Sequence, residues 1–331
     1  MYPIRHIVAL TALLLTGGTV CALFATGTVA RAAGKAGNAA RQDQDVSRLI
    51  IPLFRGDTGA TSNVALGGWG SGEAQSTRDA VFTGGSTSIR VTTHGLYQGA
   101  RLEFKEPIDL GLAFTSNKTY MRFQVKFSGG DAFQNRFSQS SFQNSRQLVS
   151  PFKKMRYLLI MADGTRYELI RPVELPDSDD PDRWVPLAFP LAAIVKEAGG
   201  NVPTGDGARV KELAIFGDKY QQFYVGDIRV ITDETEISVS SLEEQIIFAQ
   251  QPVVFSATAE GGATTLVYSW DFDASDGIQE DATGRAVTHT FPQSLDKEND
   301  GIKRYVITLT VSDFDGLKKS ASTTLEADVT D

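Results

Sequence analysis

From residue 47 onward, apolar and polar positions alternate along the chain. In TYMRFQVKF (119–127), Met121, Phe123, Val125 and Phe127 point one way, and Arg122, Gln124 and Lys126 the other. A strand places successive side chains on opposite faces, so this is the pattern of a half-buried strand. TSIRVTT, ARLEFKE, RYLLIMAD, RYELIRP, WVPLAFP, KELAIFG and FYVGDIRV follow the same period, and Asp163-Gly164 reads as a hairpin turn. One short helix is expected around Leu191 to Ala198, ending at Gly199-Gly200. The alternation stops at TDETEI (232–237) and restarts in QPVVFSATA, TLVYSWDF, AVTHTF, RYVITLTVS and ASTTLEADV. Many short strands separated by glycine-rich turns predict an all-β chain of two sandwiches, 47–233 and 236–331.

The N-terminus follows a different rule. A positive start, MYPIRH, leads into an apolar run from Ile7 to Ala25, and Ala30-Arg31-Ala32 has the small-x-small form of a cleavage site. Residues 1–32 are therefore expected to be a signal peptide cut after Ala32, with a retained membrane anchor as the alternative. Residues 33–46, rich in Ala, Gly, Gln and Asn, are expected to be a flexible linker. The single cysteine, Cys21, lies inside the signal, so the exported chain has neither a disulfide nor a thiol nucleophile. An exported chain without disulfides points to a secreted or cell-surface protein, more in the bacterial manner than the animal one. The net charge of −8, with no basic cluster, excludes a nucleic-acid surface.

The second module resembles a PKD (polycystic kidney disease) domain, an immunoglobulin-like sandwich. The resemblance rests on PVVFSA, YSWDFD with Asp-Gly shortly after, VTHTF and YVITLTVSDFDG, in that family's order. It departs in the turn, where Asp273-Ala274-Ser275-Asp276-Gly277 replaces Gly-Asp-Gly. The first module is similar to the jelly-roll sandwiches of carbohydrate-binding and galactose-binding-like modules. The carrying stretches there are STSIRVTT, DRWVPLAFPLAAI, VKELAIFGD and QQFYVGDIRV. These resemblances imply a polysaccharide or surface-glycan partner, with the second module as a spacer or interaction module.

Candidate chemistry is sparse. Tyr268, Trp270 and Phe272 share one face and are expected in the core. Asp271, Asp273 and Asp276 leave two readings open, a turn capped by carboxylates or a calcium site. No other cofactor is required. His289 shares a face with Val287 and Phe291 and reads as a core histidine, and the acidic run LPDSDDPDRW reads as a solvated loop. No G-x-S-x-G stretch occurs, and neither resembled family is catalytic, so the resemblances imply a non-catalytic chain. A sugar site needs aromatic faces with amide and charged neighbours. His94, Tyr97, Gln98 and Arg101 in THGLYQGAR supply them, with Trp69 displayed in GGWGSGE and Tyr220 and Gln222 in DKYQQFY. Trp184 is expected in the core. Two alternatives to glycan binding stay open: a structural or adhesive protein that contacts other surface proteins, and a glycan hydrolase working through paired carboxylates.

Overall fold

The computed structural model describes residues 49–127, 133–136, 145–148, 151–175, 180, 183–293 and 302–330. The expected signal peptide and linker, and residues 176–179, 181 and 182 of the acidic run expected as a solvated loop, lie outside the described residues. The first module holds strands β1 (Ile50–Phe54), β2 (Val64–Trp69), β3 (Glu73–Thr77), β4 (Ser88–His94), β5 (Gly99–Asp109), β6 (Thr119–Phe127), β7 (Phe133–Arg136) and β8 (Ser145–Leu148). It continues with β9 (Lys154–Met161), β10 (Arg166–Pro172), β11 (Val185–Pro190), helix α1 (Ala192–Glu197), β12 (Arg209–Gly217) and β13 (Tyr220–Thr232).

Two antiparallel sheets face each other as a jelly-roll sandwich. One runs β11-β6-β13-β4-β3, with β1 also paired to β13; the other runs β10-β9-β12-β5-β2. The alternation in the sequence decides which residues meet between them. Met121, Phe123, Val125 and Phe127 of β6 are buried against Leu102 and Phe104 of β5, Tyr157 and Leu159 of β9, and Ile215 of β12 within one core. Burying each such side chain is worth about 1.5–3 kcal/mol. Asp163 accepts the Thr165 N–H at 2.8 Å to close the β9–β10 hairpin, as expected of Asp-Gly. Trp184 corrects an expectation. It precedes β11 and lies outside the sandwich core, edge-on to Phe82 at 5.5 Å. The β13 bulge beside Gly226 makes room for it, since a Cβ on Gly226 would collide with the Phe82 Cβ and the Trp184 ring.

The second module holds β14 (Ser238–Val239), β15 (Ile247–Phe248), β16 (Pro252–Ser256), β17 (Ala259–Glu260), β18 (Leu266–Asp271), β19 (Ala282–Thr283), β20 (Ala286–Thr290), β21 (Lys303–Asp313) and β22 (Ala321–Thr330). A five-stranded sheet, β15-β22-β21-β18-β19, packs with the pairs β16–β20 and β14–β17 in an immunoglobulin-like sandwich. Its separate core contains Tyr268, Trp270 and Phe272, as the alternation predicts, with Phe255, Phe291, Tyr305, Ile307, Leu309 and Val311. The Trp270 indole N–H donates to the Gly284 carbonyl at 2.8 Å, which removes the cost of burying it.

Polar contacts join the sandwiches. Arg171 pairs with Asp315 at 2.6 Å, both largely buried. Lys318 donates to the Asp233 carboxylate at 2.6 Å and to the Thr235 and Gly261 carbonyls at 2.7 Å. Arg285 reaches the Leu175 carbonyl at 3.1 Å. No helix among the described residues is long and apolar enough to cross a membrane.

Candidate functional site

Strand register gathers several candidate residues at one end of the first sandwich. Tyr220 pairs with His94 across β13 and β4, and Trp69 pairs with Gly99 across β2 and β5. Residues 95–98 tie the two sheets together there. The His94 N–H donates to Gln98 O at 3.0 Å and the Gln98 N–H to Gly95 O at 3.2 Å. The turn after β2 packs against this loop so closely that only glycine fits. A Cβ on Gly72 would strike the Gly99 backbone, and one on Gly99 would strike the Ile215 carbonyl. Backbone is thus nested on backbone, which fixes where the side chains of this end start from.

Two phenols stand out of this end, Tyr97 at 67% and Tyr220 at 63% exposure. Each rests on a partner. The Arg156 guanidinium lies 4.8 Å from the Tyr97 ring and 4.7 Å from that of buried Phe216, so it sits between two aromatic faces. It also donates to Leu96 O at 3.2 Å and to Glu168 at 2.7 Å. The bond from Arg156 holds the Glu168 carboxyl below the usual carboxylate range, despite some burial. Tyr220 leans on His94, with ring centroids 4.8 Å apart. Such stacking adds about 0.5–1.5 kcal/mol per aromatic pair beyond area burial.

The structure brings His94, Tyr97, Gln98, Tyr220 and Trp69 to this end, with one change. Trp69 is the last residue of β2, half-buried and edge-on to Phe216 at 6.2 Å, and is not displayed in a loop. Its cross-strand partner Gly99 has no side chain, which leaves space for the indole to lean on Phe216. Arg101 faces outward on β5 but is committed to Glu212 at 2.8 Å and Glu103 at 3.2 Å. Gln222 lies on the other sheet, exposed, and donates to the Thr92 hydroxyl at 3.2 Å. Arg156 and Phe216 were not singled out from the sequence. The available sign was the unbroken apolar run YLLIM in β9 and the outward Ala214 and Phe216 in β12, apolar on both faces. On the outer face of this sheet, Leu158, Ala214 and Phe216 form a small cluster with Trp69 and Ile160.

The acidic stretch of the second module is built as a turn. Asp271, 2% exposed, accepts the Asp273 N–H at 2.9 Å and the Gln279 N–H at 3.0 Å. Asp273 accepts from the Ser275 N–H and hydroxyl and faces Lys303 at 3.4 Å. Asp276 ends the short 3-10 turn. Among the described residues, no three His, Cys, Asp or Glu side chains cluster as a metal site. His289 is half-buried and stacked on Phe272 at 3.9 Å; desolvation pushes its pKa down, against the pull of Asp281.

No family model matches the chain, and no curated protein matches it. Among solved structures it is similar to a beta-1,2-glucanase from Parabacteroides distasonis, at 14% identity over 84% of this chain and 38% of that one, with a TM-score of 0.32. The chain thus spans well under half of the glucanase's length. A family 30 carbohydrate-binding module of a cellulosomal cellulase from Clostridium thermocellum aligns at 11% identity over 56% of this chain and 99% of that one, TM-score 0.36. The PKD1 domain of Vibrio anguillarum Epp aligns at 18% identity over 30% of this chain and 98% of that one, TM-score 0.21.

Proposed function

We propose that this is a secreted, non-catalytic protein that binds an extracellular polysaccharide at the aromatic end of its first sandwich. One observation carries the reading: two phenols, Tyr97 and Tyr220, are about two-thirds exposed yet held in place by Arg156 and His94. A pyranose ring presents C–H groups on its faces and hydroxyls on its rim. The phenols offer flat apolar surface for the faces, and Gln98 and His94 offer polar groups for the rim. The glycine-nested backbone keeps these groups in place before the ligand arrives, so little ordering entropy is lost on binding. The second sandwich serves as a spacer or interaction module.

The test is retention of the full chain on insoluble polysaccharides, such as cellulose, chitin and curdlan. Wild type is expected to be retained by at least one. Tyr97→Ala or Tyr220→Ala is expected to weaken retention about ten-fold, the loss of roughly 1–2 kcal/mol when one stacking aromatic is removed. Thermal melts should fall by only about 2–4 °C, the loss of about 1 kcal/mol of stacking in a domain of this size. Retention by none of the polysaccharides would instead favour a structural or adhesive protein. Release of soluble sugar from a retained polysaccharide would show a hydrolase.

A further inference from the structure

Away from the aromatic end, a cleft of about 450 Å³ opens between the two sandwiches, within the size range of small-molecule sites. One wall comes from the end of β10 and from β11, the other from residues 258–266 and Arg285. We propose that this cleft is a second ligand site, and that it takes a short neutral oligosaccharide. Glu174 and Glu260 line the cleft together with Arg171, Arg183 and Arg285. An anionic ligand would meet two carboxylates, and a cationic one three guanidiniums. A polyhydroxyl ligand both donates and accepts at each hydroxyl, so it can satisfy both signs without stranding either. Leu175, Ala259 and Leu266, each only partly buried, supply apolar surface for sugar C–H faces.

The polar groups are also fixed in place. Arg285 is pinned by bonds to the Ala257 carbonyl at 3.2 Å and the Leu175 carbonyl at 3.1 Å. Arg171 is anchored on Asp315. Glu174 reaches solvent, yet enough protein surrounds its carboxyl to push it above the ordinary range, against the pull of Arg285. A carboxyl so placed gains from a hydroxyl donor.

The site shares with the proposed function only the class of ligand, and the test separates the two. Backbone hydrogen exchange is measured on the full chain with maltohexaose, cellohexaose or laminarihexaose, and with oligogalacturonate as the charged probe. At least one neutral hexasaccharide is expected to slow exchange in 258–266 about five-fold or more. Glu174→Gln should raise about ten-fold the ligand concentration needed for that protection, as for a lost hydrogen bond to a charged group. It should leave exchange at 95–98 unchanged, while Tyr97→Ala has the reverse effect. The cleft site is overturned if no neutral hexasaccharide protects 258–266, if only oligogalacturonate does, or if Glu174→Gln leaves the protection intact. Protection at 95–98 alone would overturn the cleft and leave the aromatic end standing.

Discussion

At the scale of single residues, Asp271 shows how one side chain can hold a turn. Its two carboxylate oxygens, on a side chain that is itself buried, accept two backbone N–H groups of the turn. Asp271→Ala leaves both donors unpaired, and about 3 kcal/mol of stability should be lost, read as a lower midpoint in urea. EDTA should leave the wild-type melt unchanged; a fall on chelation would instead mark a calcium site. The core role of Tyr268, Trp270 and Phe272 was legible because a period of two assigns faces directly. The positions of Trp69 and Trp184 were not legible. Both rings lean on neighbours distant in sequence, Phe216 and Phe82, through gaps left by Gly99 and Gly226.

At the scale of elements, the strands β9 and β12 are apolar on both faces, and the reason appears only in three dimensions. One face meets the other sheet, while Leu158, Ala214 and Phe216 of the other carry Trp69 and Ile160. Neither strand is an edge, since β12 pairs with β9 and β5, and β9 with β10 and β12. Amide exchange should therefore be slowest in β12, β9, β6 and β13 and faster in the edge strands β2, β3, β10 and β11. Equal exchange in edge and central strands would contradict this layering. Strand existence and the short helix were readable from alternation and from Gly199-Gly200. Pairing order was not, because cross-strand partners lie as much as 181 residues apart, as Ile50 and Ile231 do, and leave no local mark.

At the scale of the whole molecule, the sandwiches have separate cores but share buried charges. Removing one member of a buried pair strands the other, at a cost of about 3–5 kcal/mol, whereas replacing both by apolar residues is often neutral. Asp315→Ala is therefore expected to destabilise the chain by about 3 kcal/mol, and Arg171→Met with Asp315→Leu to recover most of that loss. Equal losses in the single and double variants would show that the pair is not the cause. Lys318 acts in the same region. Burial pushes the Asp233 carboxyl up, but the bond from Lys318 and those from Ala263 and Thr235 outweigh it and hold the carboxyl low. A carboxyl with a depressed folded pKa contributes stability that is present above its unfolded value, near 4, and is lost as pH falls through the folded one. The gap in stability between wild type and Lys318→Ala should thus be full at neutral pH and shrink on acidification below about 4. A pH-independent gap would exclude the Asp233 contact. None of these partners was legible in the sequence, where Arg171 and Asp315 belong to different modules.

The glycine nest under the aromatic end separates two kinds of position. Gly72 and Gly99 admit no other residue without moving backbone, whereas Tyr97 and Tyr220 point into solvent. In a saturation library, the first pair should tolerate almost nothing and the second almost everything compatible with expression. On the proposed polysaccharide-binding reading, descendants of this chain would change what they recognise by exchanging two exposed rings, with the scaffold beneath them unchanged.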